Sequence, residues 1–429
     1  MQPILLTLLV VATLWQGCSL GTPRNELVEV FSWKTLDFAY PSEQSRQQRP
    51  HGVEVWQDKV FISVPRLGKG VPSSLNYVKM NGKQQVQWRC WELSRFIVSP
   101  FRMSVDACDR LWMVDLGILD IKTSFTKLFQ PRILVFDLKT DQLVLEREIE
   151  AKLLPCRTWI ANIIVDVERD NCQDAWAYIP DLWGKVLIVY SMQKNDAYQV
   201  NHQYFNSDPL AGNYFIGGFN FRWDDGIFGV ALSPRSVETG EKTLFFHALS
   251  AYTEYAVSTR VLKNATLAAD FYGYKLLGSR GGEFNQAGAQ SMDPQTGVLF
   301  YTLPHKNAIG CWNACDKSQE YSPRTNNVTL LYPSDLKVDR ASRVWVVSNK
   351  LPVFNNDALN NNEVNFRILY GEANKVIEDT PCDPNFVAPP VFDKGPHHQH
   401  QHHQRRRAHQ RRAPQPATSA IKTVPRLWP

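Results

Sequence analysis

Val105-Asp-Ala-Cys-Asp-Arg-Leu-Trp-Met-Val114 and Val338-Asp-Arg-Ala-Ser-Arg-Val-Trp-Val-Val347 share one pattern, V-D-x-x-x-R-[LV]-W-[MV]-V, 233 residues apart. Local low complexity does not produce a match at that distance, so the chain repeats a structural unit. Each copy is a polar turn followed by an apolar, β-prone run. Six such runs occur, at 60–64, 111–115, 175–181, 244–249, 298–303 and 344–349. Most are followed by a second β-rich run, as at 133–138, 186–191, 255–262 and 366–370. Five steps separate 60 from 344, or about 57 residues per copy. Propeller blades take roughly 40–50 residues for four strands, and the longer step leaves room for loop insertions. Six copies therefore predict an all-β, six-bladed β-propeller. Helical periodicity is nearly absent, and 26 Pro with 23 Gly punctuate the chain every few residues. A pair of irregular β-sandwiches is the competing architecture. The uneven spacing argues against a solenoid.

Working outward, the termini differ from this body. An uninterrupted run of apolar residues and threonines fills 4–15, too short to span a bilayer. Ser19-Leu20-Gly21 supplies small residues at a cleavage site. Residues 1–21 are thus expected to be a signal peptide, although a charged start is missing, and the protein is expected to be secreted. The propeller is assigned to 22–392 and a disordered His/Arg-rich tail to 393–429. No other stretch is long and apolar enough to span a membrane. The tail holds eight Lys/Arg and one acidic residue, +7, whereas the rest holds 39 basic and 41 acidic residues, −2. The net charge of +5 therefore belongs to the tail, and no nucleic-acid partner is expected. The Arg run at 405–412 suits contact with anionic surfaces. His397, His398, His400, His402 and His403 are crowded enough for weak Zn(II) or Cu(II) capture, but a merely solvated tail is the simpler reading.

An oxidising compartment favours disulfides. Beyond Cys18, seven cysteines remain: Cys90, Cys108, Cys156, Cys172, Cys311, Cys315 and Cys382. Spacing suggests local bridges Cys90–Cys108 and Cys156–Cys172, with Cys311 or Cys315 reaching Cys382 and one thiol left over. Sequence does not fix connectivity. Asn264-Ala-Thr266 and Asn327-Val-Thr329 are glycosylation acceptors, so Asn264 and Asn327 are expected modification sites.

Phe31-Ser-Trp-Lys-Thr-Leu-Asp-Phe38, Gly70-Val-Pro-Ser-Ser-Leu75, Arg110-Leu-Trp-Met-Val-Asp-Leu-Gly117, Ala177-Tyr-Ile-Pro-Asp181 and Gly226-Ile-Phe-Gly-Val-Ala-Leu-Ser-Pro234 form a series. Asn307-Ala-Ile-Gly-Cys-Trp312, Tyr332-Pro-Ser-Asp-Leu-Lys-Val-Asp339, Val346-Val-Ser-Asn-Lys-Leu-Pro-Val-Phe354 and Glu363-Val-Asn-Phe-Arg-Ile368 continue it. In this order the series resembles the insect yellow and major royal jelly proteins over roughly residues 30–370. The resemblance implies a secreted six-bladed propeller, in agreement with the repeat count. It also implies a link to insect melanin chemistry. Some members are credited with dopachrome conversion, salivary relatives bind biogenic amines in the central channel, and others are nutritive. The tail has no counterpart in the family.

Propeller strands converge on a central channel. Residues ending the repeated runs are expected to line it: Asp115, Asp181 and the Ser348-Asn349 pair, with Phe354 close behind. Asn162 and Asp166 flank the start of the third blade, and Asn220 and Gln290 fall before the fourth and fifth runs. A carboxylate suits an ammonium, amides suit ring hydroxyls, and a ring stacks on a catechol or indole. Asp115, Asp181, Asn220, Gln290, Asn349 and Phe354 are therefore the expected ligand residues for a small aromatic amine or catechol-derived molecule. An Asp after a strand also commonly caps a turn. Dopachrome conversion moves a proton from a ring carbon to oxygen, for which Asp115, Asp181 and His305 are the catalytic candidates. Trp112 and Trp345 are expected to pack between blades. No metal-ligand or phosphate-loop pattern is present, so neither metal nor cofactor is expected. Binder, isomerase and structural or storage protein all fit this sequence.

Overall fold

The computed structural model describes residues 27–36, 48–68, 70–80, 89–90, 96–121, 124–313 and 321–385. The expected signal peptide at 1–21 and the expected tail at 393–429, Cys315 and the side chain of Cys90 lie outside the described residues.

Six four-stranded antiparallel sheets form six blades. Blade 1 is Gly52–Trp56, Lys59–Ser63, Leu75–Lys79 and Arg89–Cys90. Blade 2 is Pro100–Val105, Arg110–Asp115, Arg132–Asp137 and Gln142–Glu148. Blade 3 is Ile164–Asp166, Trp176–Asp181, Val186–Ser191 and Asp196–Val200. Blade 4 is Ile227–Leu232, Thr243–Ala248, Thr253–Ser258 and Tyr274–Ser279. Blade 5 is Gln290–Met292, Val298–Leu303, Ala308–Asn313 and Tyr321–Thr325. Blade 6 joins Pro333–Val338, Arg343–Ser348 and Phe366–Glu372 to the N-terminal strand Val28–Trp33. Each first strand contacts that of the next blade, and Pro333–Val338 returns to Gly52–Trp56, which closes the ring.

The six sequence runs are the second strands, not the innermost ones. Second strands pack between neighbouring blades on both faces, so they read as continuous apolar segments; Arg110–Asp115, Trp176–Asp181 and Val298–Leu303 are buried throughout. First strands are buried as well but carry Glu54, Arg102, Asp166, Gln290 and Asp335, which breaks the hydrophobic signal. The channel lining therefore begins upstream of each run.

The repeated motif has one structural meaning in both copies. Asp106 accepts the backbone N–H of Cys108 (2.9 Å) and Arg110 (3.0 Å), the Arg110 Nε–H (2.7 Å) and the Trp112 indole N–H (2.8 Å). Asp339 does the same with Ala341 (2.9 Å), Arg343 (3.1 Å), Arg343 Nε (2.8 Å) and Trp345 (2.8 Å). One carboxylate caps the turn, pairs with the arginine and holds a fully buried indole, whose ring packs into the core.

The cysteines pair differently from the local scheme. Cys108 bonds Cys172, so neither Cys90–Cys108 nor Cys156–Cys172 forms, and Cys156 is a free, exposed thiol. The reason lies in the ring: the first hairpin turns of blades 2 and 3 are spatial neighbours, and 64 residues of sequence separate what the fold brings to a Cα–Cα distance of 5.9 Å. Cys311 pairs with Cys382 and ties blade 5 to the segment after blade 6. Asn264 caps the short helix Ala265–Ala268 through its Oδ1, and both Asn264 and Asn327 are exposed.

Candidate active site at the channel mouth

The first strands all start on one face of the ring. The segments leading into them, together with the turns between second and third strands, form the rim of the channel there. This rim collects two buried arginines. Arg49 donates from Nη1 to Asn355 Oδ1 (2.9 Å) and from Nε and Nη2 to His51 Nε2 (3.0 and 2.8 Å), while its guanidinium lies 4.3 Å from the centre of the Phe354 ring. Arg102 donates to the carbonyls of Ala161 (3.1 Å) and Ser334, pairs with Asp335 (3.3 Å) and stacks on Phe228 (4.4 Å).

Burial lowers the pKa of Arg49 to about 9, with Tyr332 acting the other way, and burial also lowers that of Arg102. Both remain cations at neutral pH. Burial, then the charges of Arg49 and Arg102, hold His51 well below its ordinary range. It is therefore a neutral imidazole whose Nε2 accepts from Arg49. Burial raises the Tyr332 pKa against the pull of Arg102 and Arg49, and Asp225 adds to the rise. The Asp225 carboxyl is pushed up to about 7 by burial first and by Asp224 second, while an indole N–H from Trp183 works against the shift.

Aromatic rings wall this cluster. His51 meets Phe101 edge-on at 5.0 Å, Phe101 meets Trp159 at 5.2 Å, and Trp159 lies 4.8 Å from Trp183. Trp223 lies 6.4 Å from Tyr332. A hairpin outside the blades, Asn213–Ile216 and Phe219–Arg222, covers this side. Its two-residue turn is Gly217-Gly218, with φ of +61° and +88°, the left-handed pair such a turn demands. Tyr214 and Ile216 pack on Tyr332 and Leu351, and Gly217 abuts Val353 of the helix Leu351–Asn355. The hairpin thus arches from the junction of blades 3 and 4 to blade 6.

Asn349 and Phe354 belong to this rim. Asn349 donates to the Pro50 carbonyl (2.7 Å) and accepts from Leu351 N–H (3.1 Å), which fixes the backbone between Arg49 and His51. Asp115 and Asp181 support the rim from behind. Asp115 accepts Val98, Ser99 and Gly117 N–H (3.0, 2.8 and 3.2 Å) and pairs with Arg132 (3.1 Å). Asp181 accepts Trp159 and Gly184 N–H (both 2.8 Å) and the Thr158 hydroxyl (2.8 Å). They fasten the chain that carries Phe101 and Trp159.

The other expected residues are dispersed. Asn162 is on the rim and donates to the Phe228 carbonyl (3.0 Å). Asn220 is exposed on the hairpin. His305 stacks on Phe284 (3.9 Å) and accepts the Phe215 N–H (3.4 Å); burial lowers its pKa to about 4. Gln290 is buried between blades and donates to Phe245 O and Glu254 (both 3.0 Å). Asp166 lies at the opposite end, paired with Lys242 (3.0 Å) and Lys263 (2.8 Å) beside a cleft of about 240 Å³ lined by more carboxylates than cations. Among the described residues no group of three His, Cys, Asp or Glu is arranged to hold a metal.

Sequence reasoning missed Arg49, His51, Arg102, Asp225 and Tyr332. The usable signal was the stretch about 9–19 residues upstream of an apolar run, where the chain must enter a first strand if the run is a second strand.

A family model described as Major royal jelly protein matches residues 98–382. The chain belongs to the major royal jelly protein family. Dopaminechrome tautomerase of Drosophila melanogaster is 32% identical over 401 residues, covering 84% of this chain and 85% of its own. Protein yellow of Drosophila subobscura is 35% identical over 390 residues, covering 83% of this chain and 67% of its own. Among solved structures, virginiamycin B lyase from Staphylococcus aureus covers 80% of this chain and 98% of its own, with a TM-score of 0.42 at 9% identity. Among the described residues no helix is long and apolar enough to cross a membrane.

Proposed function

We propose that this royal jelly family member is a secreted protein of pigment chemistry that takes a catechol- or indole-derived quinonoid molecule at the channel mouth and tautomerises it. The observation carrying this reading is the pair of buried guanidiniums, Arg49 and Arg102, set against Tyr332 within a wall of aromatic rings. Quinone oxygens accept hydrogen bonds from guanidinium, and a flat ring packs on flat rings. Tautomerisation builds negative charge on such an oxygen, and preorganised cations in a dry site favour that charge. The similarity to a dopaminechrome tautomerase over most of both chains supports the same chemistry.

A pure binder uses the same pocket, so the two readings separate only by turnover. The test follows dopaminechrome absorbance over time with substoichiometric protein. Loss of many equivalents per protein supports the tautomerase. Loss of one equivalent, with saturable heat in calorimetry, leaves the binder. Neither loss nor heat overturns both.

A further inference from the structure

Any proton transfer at the mouth needs a group with a lone pair to offer. Asp115 and Asp181 spend their oxygens on backbone amides, and Asp335 does likewise through Val53 and Leu336 N–H (both 3.0 Å) besides pairing with Arg102 (3.3 Å). The His51 Nε2 lone pair is taken by Arg49. Asp225 differs. It precedes the first strand of blade 4 by two residues, and its main chain is fixed because its carbonyl accepts the Ser250 N–H (3.1 Å). Its side chain is buried against the mouth, and its hydrogen-bond donor is the Trp183 indole rather than a row of amides.

The charges facing Asp225 come from every neighbouring segment. Asp224 on its own segment disfavours ionisation, whereas Lys185 and Arg157 from blade 3 loops favour it. Tyr332 is close enough to feel Asp225, Arg49 and Arg102 together, and Tyr214 of the hairpin feels Asp225 as well. The Asp225 segment runs from Trp223, whose ring lies 6.4 Å from that of Tyr332, to Phe228, whose ring lies 4.4 Å from the Arg102 guanidinium, which sets the carboxyl beside the same cluster. Its pKa, pushed up to about 7, suits a group that both accepts and releases a proton near neutrality.

We propose that Asp225 is the catalytic base of the mouth, taking a proton from a ring carbon of a quinonoid ligand whose oxygen is held by Arg49 and Arg102. This rests on the tautomerase reading. The C–H bond breaks and its electron pair becomes a ring C=C bond. The carbonyl π pair moves to oxygen, which gains a proton and becomes a hydroxyl. One proton leaves carbon and one reaches oxygen, so no oxidant or reductant takes part. The proton on Asp225 returns to that oxygen or to water, and the carboxylate is restored.

The experiment measures dopaminechrome turnover from pH 5 to 9 for wild type, Asp225→Asn and Asp225→Glu. Wild-type kcat is expected to rise through about pH 7 as the carboxyl ionises. Asp225→Asn is expected to lose about 100-fold or more in kcat with little change in KM, and to lose the rise itself. Asp225→Glu keeps a carboxyl, so a reduced rate with a displaced midpoint is expected even if the Asn variant folds poorly. A folded Asn variant that retains the wild-type rate or pH rise overturns the assignment and leaves the tautomerase reading standing. A Glu variant with an unmoved midpoint also overturns it. A wild-type protein that turns over no dopaminechrome overturns both.

Discussion

Glu54 sits on the first strand of blade 1 and accepts N–H from Val55 (2.9 Å) and Val105 (3.1 Å). Burial nevertheless pushes its carboxyl up to about 7, against the pull of Lys337 and those two bonds. An unfolded Glu titrates near ~4.3. Between the two values the folded protein holds a proton that the unfolded chain has released, so stability falls as pH rises through that window. Glu54→Gln cannot titrate. Urea unfolding at pH 5 and pH 7 is expected to show a smaller decline for the variant than for wild type; an equal decline would mean that Glu54 is ionised throughout. At this scale the sequence was readable where one side chain recurs in one role. Asp106 and Asp339 stand out because the whole V-D-x-x-x-R-x-W constellation repeats with its partners. Asp225 has no such repeat, and its environment is assembled from Trp183, Lys185 and Tyr332, residues distant in sequence.

The hairpin Asn213–Arg222 is a small element resting on the channel rim. A Cβ on Gly217 would lie 2.6 Å from Val353 Cγ2, so cysteines at these two positions are within bridging reach. The oxidised Gly217→Cys, Val353→Cys pair is expected to slow ligand association about tenfold relative to either single variant, read by stopped-flow quenching of tryptophan. Equal rates would show that ligand enters elsewhere. The single variants control for strain at Gly217, whose positive φ costs a side-chain-bearing residue about 1–2 kcal/mol. Strands were legible in proportion to their apolarity. Arg110–Asp115 and Val298–Leu303 are buried throughout and announced themselves, whereas Gly52–Trp56, interrupted by Glu54, did not. That asymmetry moved the expected lining from first to second strands and sent Asp115 and Asp181 to the channel instead of to the loops they fasten.

The whole ring is held by long-range contacts, of which the sequence pointed to one, a bridge from Cys311 or Cys315 to Cys382. Cys311 and Cys382 close a loop with a sequence separation of 71. Chain entropy assigns such a link about 4 kcal/mol, and measured values usually fall at 2–4. The Cys311→Ser, Cys382→Ser double variant is expected to lose stability on that scale by denaturant unfolding. A loss below about 0.5 kcal/mol would mean that the core of blades 5 and 6 suffices alone. Blade number was legible because six apolar runs recur. Ring closure was not, because Val28–Trp33 looks like any short strand and its partner, Phe366–Glu372, lies at the far end of the propeller.

That closure also sets a schedule for synthesis. Val28 is opposite Tyr370, so the first strand made must wait for nearly the last. At ~5–20 residues per second, its edge stays unpaired for on the order of 20–70 s on each nascent chain. Five blades emerge before the sixth can be completed. An unpaired strand edge is a template for wrong pairing, so the nascent chain is exposed to misassembly for that whole interval, however firm the finished ring.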